Sequence, residues 1–141
     1  MPASRRRPIH SRSLQVDAYA RDDGLWDVEA SLADTKARDF VLASGIRRAG
    51  EAVHDMRLTV TVDRDFNIVD AHAESLAVPY PGHCDDFGEV YARLIGLNLL
   101  RGFRRDLRAR LGGIHGCTHI TELAGQLRGR ARRHWHGKAR R

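Results

Sequence analysis

The sequence predicts an α+β fold: an antiparallel four-stranded sheet, built as two hairpins, with about three helices packed on one face. Three observations carry this expectation. Between residues 13 and 75, apolar and polar residues alternate in runs, the period of a half-buried strand. After "VPYPG" at 78–82 the period changes. Between 87 and 127, apolar residues recur at three and four, the period of a helix.

The first hairpin joins "SLQVDAYAR" to "LWDVEASL" through the turn signal "DDG" at 22–24. In its second run Trp26, Val28, Ala30 and Leu32 alternate with Asp27, Glu29 and Ser31. The second hairpin joins "MRLTVTV" to "IVDAHAES" through "DRDFN". Met56, Leu58, Val60 and Val62 share one face there, with Arg57, Thr59 and Thr61 on the other. Between the hairpins, "ASGIRRAGEAVHD" at 43–55 reads as a loop with Gly45 and Gly50 as breakers. Phe87, Val90, Tyr91, Leu94 and Ile95 mark the first helix. Asp85 and Asp86 occupy its first turn, where the helix dipole favours carboxylates. Phe103, Leu107 and Leu111 mark an arginine-rich second helix, stopped by Gly112 and Gly113. Ile120, Leu123, Ala124 and Leu127 mark a third, which dissolves into a basic end. No internal repeat is visible.

At 141 residues the chain has the size of one domain. Its net charge of +6 is unevenly spread. Residues 1–12 hold four arginines and no acid, and residues 128–141 hold six arginines, one lysine and no acid. The remaining 13–127 carry 13 basic and 18 acidic residues. The expected organisation is a basic flexible arm over 1–12, one α+β domain over 13–127, and a basic tail over 128–141. Basic ends of this kind contact nucleic acid non-specifically, engage an acidic protein partner, or simply stay solvated. No apolar run reaches the roughly 18 residues of a membrane span, and the opening "MPASRRRPIHSRS" has no apolar secretory core. The expected setting is therefore the cytoplasm, where Cys84 and Cys117 are free thiols or ligands rather than a bridge.

Chemistry-bearing residues gather at the ends of elements. "GGIHGCTHITEL" at 112–123 places Cys117 at the expected start of the third helix, with Thr118 as its N-cap. A thiol there is favoured as a thiolate, the form that binds metal or attacks a carbon centre. His115 and His119 flank it, and Glu122 follows at helical spacing from His119. His54 and Asp55 sit where the 43–55 loop meets a strand, and His83 and Cys84 precede the first helix. If these junctions meet at one end of the sheet, His54, Cys84, Cys117 and His119 form a four-ligand set. Nitrogen and sulfur together favour zinc or iron. Asp55 and Glu122 are then the groups for proton transfer or for orienting a ligand, with Cys117 a possible nucleophile. The alternative for each residue alone is ordinary packing, since cysteine is among the most buried residue types. "HWH" at 134–136 lies in the basic tail. No G-x-S-x-G, P-loop or G-x-G-x-x-G is present.

Several blocks resemble a known family in order: "YARDDGLWDVEASLADTK", "IRRAGEAVHDMRLTVTVDRDFNIVDA" and "LIGL…GF…LGGIHGCTH…EL". They look like the bacterial family known as domain of unknown function 2889, over roughly residues 14–127. That resemblance implies a family without an assigned activity. A second resemblance is to NifU/IscU-like iron–sulfur scaffold proteins. It implies His54 in the place of a first ligand cysteine, Asp55 near the family's aspartate, and Cys84 and Cys117 as second and third ligands, with His115 or His119 close by.

Three functional readings follow. The first is a small cytoplasmic protein binding zinc or iron, with iron–sulfur handling among its roles, through His54, Cys84, Cys117 and His119. The second is a thiolate-dependent enzyme or binding domain that takes an acidic small molecule such as a thioester. The third is an interaction protein using its basic ends on nucleic acid or an acidic partner.

Overall fold

The computed structural model describes residues 4–42, 45–77, 91–111, 122 and 124–127. The first hairpin forms β1 (His10–Ala20) and β2 (Trp26–Lys36). Alternation of Trp26, Val28, Ala30 and Leu32 with polar neighbours drives the pairing, since only one sheet face is then apolar. Gly24, at φ 84°, turns the chain between them in a conformation that a side chain would strain. The second hairpin forms β5 (Ala52–Val62) and β6 (Ile68–Ala77). All four strands lie antiparallel in the order β1-β2-β5-β6. Residues 43–55, expected as loop, hold one further strand and the start of β5. β3 (Phe40–Leu42) and β4 (Gly45–Arg47) form a separate two-stranded sheet, and β5 starts at Ala52.

The structure corrects the expected α+β class with about three helices on the sheet. The described residues are mostly β, in two sheets. Their helical content is α1 (Phe103–Leu111), a helical residue at 91 followed by a 3-10 turn at Ala92–Leu94, and helical residues at 122 and 124–127. Of the stripe from Phe87 to Ile95, Tyr91 is helical and the 3-10 turn follows it directly, so the helical period runs out before Ile95. Tyr91 and Leu94 are buried as expected, but the backbone is extended at Ile95 and that side chain is exposed. Phe87 and Val90 lie outside the described residues, as do Ile120 and Leu123 of the third stripe. The strands also run longer than their clean alternation, which stops at the polar residues near each end.

One face of the large sheet carries the core. Val28, Ala30, Leu32, Met56, Leu58, Val60, Val62 and Ile68 pack against Tyr91, Leu94, Leu97, Leu99, Phe103, Leu107, Leu111, Ala124 and Leu127. The other face carries Asp27, Glu29, Arg57, Thr59 and Thr61 by strand alternation. The helical layer is stitched to one end of the sheet. Backbone bonds run from Ile68 N to Leu97 O, Gly96 N to Ile68 O and Leu99 N to Phe66 O, all 2.8–2.9 Å. Trp26 packs against Phe66 at this end, ring centres 5.7 Å apart. No helix among the described residues is long and apolar enough to cross a membrane.

Candidate functional site

The opposite end of the core-bearing face is polar. Strand alternation along β2 puts Asp34 in line with Val28, Ala30 and Leu32, and the residue is 3% exposed. A carboxylate buried there must be paired. The register supplies its neighbours: Arg12 of β1 lies opposite Asp34 on one side, and His54 of β5 on the other.

Arg12 grips Asp34 with a two-pronged fork. Nε donates to Oδ1 at 2.7 Å and Nη2 donates to Oδ2 at 2.9 Å. His54 Nδ1 lies 3.2 Å from Asp34 Oδ2, and its side chain is largely buried. His10 Nε2 approaches Oδ1 at 3.5 Å from a more exposed position. Arg12 Nη1 also donates to Glu122 Oε2 at 3.2 Å, so a helical residue 110 positions away closes the cluster. Burial pushes the Asp34 carboxyl upward. The Arg12 hydrogen bonds and charge, joined by His54 and His10 when these are protonated, outweigh it and hold the carboxyl below its ordinary value. The same contact raises Arg12 further.

Two bulges fall at this rung. Between Asp34 and Thr35 the register jumps from His54 to Ala52, leaving Val53 as the extra residue in β5. Between Asp55 and Met56 it jumps from Ala77 to Ser75, leaving Leu76 extra in β6. Bulges re-aim side chains and sharpen twist, and they gather near functional sites.

The chemistry available is that of an oriented imidazole. An imidazole nitrogen facing a carboxylate carries its proton there, so the lone pair of neutral His54 lies on Nε2. This is the arrangement by which a buried carboxylate orients a ligating or proton-transferring histidine.

Of the four expected metal ligands, His54 is in the cluster. Cys84, Cys117 and His119 lie outside the described residues, as do His83, His115 and Thr118. Among the described residues, no three His, Cys, Asp or Glu side chains converge as a metal site. Of the acid–base candidates, Glu122 reaches the cluster through Arg12. Asp55 follows His54 in the strand, so alternation directs it to the opposite face of the sheet. Asp34, Arg12 and His10 were not expected. The sequence places residues 10–12 in a flexible arm, whereas β1 begins at His10. The signal for Asp34 was present: an acid at a core-facing position of the alternating run.

Searches of curated proteins and of solved structures find no match. Neither supports the resemblance to NifU/IscU-like scaffolds. A family model described as a protein of unknown function (DUF2889) matches residues 10–133, beginning at the first residue of β1 and spanning every member of the Asp34 cluster, and the chain belongs to that family.

Proposed function

We propose that this is a small metal-binding protein in which His54, through Nε2, is one ligand of a zinc or iron site completed by Cys84, Cys117 and His119. The observation that supports it most is the hold of buried Asp34 on His54 Nδ1. A carboxylate on the far ring nitrogen fixes the tautomer and raises the basicity of the ligating one. Two chain-order facts agree. Ala77, opposite Asp55, is seven residues before Cys84, and Glu122, on Arg12, is three residues after His119. A bound metal would supply Lewis acidity or a redox centre. In a reducing cytoplasm both thiols stay available as ligands. The test is the metal content of the purified full chain beside His54→Ala and Cys117→Ser. About one zinc or iron per chain is expected, falling to background in both variants. Asp34→Asn should weaken affinity about 10–100-fold without abolishing it. Wild-type protein that takes up neither metal sinks the proposal.

A second reading has its own support. Arg93, Arg101, Arg104, Arg105, Arg108 and Arg110 are all exposed within 91–111, where Asp106 is the one acid. We infer a polyanion surface on the helical side, with the basic C-terminal residues adding to it. Binding of a nucleic-acid oligomer should weaken steeply with salt, and should be weakened far more by Arg104→Gln/Arg105→Gln/Arg108→Gln than by removal of 128–141. Binding that disappears with 128–141 alone would assign the contact to the tail.

A further inference from the structure

We infer that the outer edge of β1 docks a second copy of this chain, the two β1 strands pairing antiparallel about a two-fold axis at Gln15. The inference is independent of any metal.

The two edges of the large sheet differ. β6 is defended. Register shifts flank its pairing with β5, Asp70, His72 and Glu74 follow one another along one face, and an Asn67–Asn98 bridge covers its entry. Charges and bulges are the ordinary means of keeping edges from pairing. β1 lacks the bulges and the bridge, and its titratable residues are engaged within the chain: His10 and Arg12 lean on Asp34, and Asp17 accepts from Gln15 Nε2. It runs eleven residues in unbroken register from His10↔Lys36 to Ala20↔Trp26, without proline, lysine or bulge. Among the described residues, nothing pairs with its outer edge. Such an edge is a template for another strand.

The backbone specifies which strand fits. Ala37 N donates to Ile9 O at 3.1 Å, and Arg21 N donates to Leu25 O at 2.9 Å. Odd-numbered residues therefore turn their backbone groups toward β2. His10, Arg12, Leu14, Val16, Ala18 and Ala20 turn theirs outward. A second β1 can exchange hydrogen bonds only where even residues face even residues. That parity also places the two core-bearing faces on the same side, giving one continuous sheet of eight strands. The register that uses the whole strand is centred on Gln15.

The side chains agree with that register. Leu14 is 41% exposed on the core-bearing face, an apolar residue without enough cover. It meets Val16 of the partner subunit, and the symmetry repeats the contact. Arg12 and His10, which lean toward Asp34, meet the small side chains of the partner's Ala18 and the partner's Ala20. Ser13 meets the partner's Asp17. No like charges stand opposite each other. Pairing along one strand makes a small interface, so a micromolar dissociation constant is the expected scale.

The test uses the full chain. Wild type should sediment as a dimer at concentrations well above micromolar. Ala18→Lys sets a lysine against Arg12 of the partner subunit twice per dimer and should give a monomer whose unfolding midpoint matches that of wild type measured well below micromolar. Gln15 occupies a non-hydrogen-bonded position on the axis, where opposed Cα atoms stand about 4.5 Å apart, within disulfide range. Oxidised Gln15→Cys should therefore form a covalent dimer beyond any wild-type background, and Ser13→Cys should not. A wild-type monomer, a dimer that persists with Ala18→Lys, or equal crosslinking by Ser13→Cys and Gln15→Cys would each overturn the inference.

Discussion

Asp34 concentrates the energetics of the polar end. It sits on a face otherwise lined by Val28, Ala30 and Leu32, and only pairing makes that burial tolerable. Asp34→Asn keeps the shape but removes the charge that Arg12 grips. It should cost about 2 kcal/mol, because Arg12 is partly exposed and water recovers some of the loss. Urea unfolding measures this directly. The pH dependence has a definite sign. The folded carboxyl lies below its ordinary value, so the unfolded chain binds more protons in acid. This contribution is fully present above about pH 4, the unfolded value, and is lost as pH falls through the folded one. The urea midpoint of wild type should decline over that acid range. Asp34→Asn should show a shallower decline, the remainder coming from other carboxylates such as Asp63. Burial raises Asp63 too, but bonds from Asn67 and Asp65 hold it below its ordinary value.

Between elements, Asn98 is the joint between sheet and helical layer. Its Nδ2 donates to Asp65 O and Asn67 Oδ1, and its Oδ1 accepts from Leu100 N and Arg101 N. Asn98→Ala should destabilise by about 1–3 kcal/mol, a fall of about 2–4 °C in melting temperature for each kcal/mol. Calorimetry checks it, and a shift under 1 °C would assign the joint to the backbone bonds alone. This joint could not be read from sequence, since nothing local to Asn98 points to a turn 31 residues earlier. Strand positions were legible where one face is apolar, as in 26–32 and 56–62. They were illegible where both faces are polar, as in His10–Arg12, or where glycines interrupt, as around Gly45. Half of the site was hidden for the same reason. His54 stood out by residue type and position, but Arg12 acquires meaning only once the hairpin register sets it opposite Asp34.

Across the molecule, charge is segregated by layer. Residues 13–77 carry 13 acidic and 7 basic residues, whereas 91–111 carry six arginines against one aspartate. Net charge alone would conceal this, because the basic ends dominate the total. If the arginine layer contacts phosphates, replacing Arg104, Arg105 and Arg108 by Gln should lower the slope of log affinity against log salt by about 3. Fluorescence titration of a labelled oligomer at several salt concentrations gives that slope. An unchanged slope would place the contact elsewhere.

The order of these layers along the chain sets a sequence of events at the ribosome. Every paired strand of the large sheet lies within residues 10–77, while the residues that cover its apolar face come from 91–127. At about 5–20 residues per second, translating the 50 residues from 78 to 127 takes roughly 3–10 s. Throughout that interval a nascent sheet would present Leu32, Met56, Leu58 and Val60 to water, beside the bulge-free β1 edge. Arg12 waits longest, since Glu122 is the last member of its cluster to be synthesised. Newly made chains are therefore most exposed to aggregation and to chaperone capture after the strands exist and before their cover arrives.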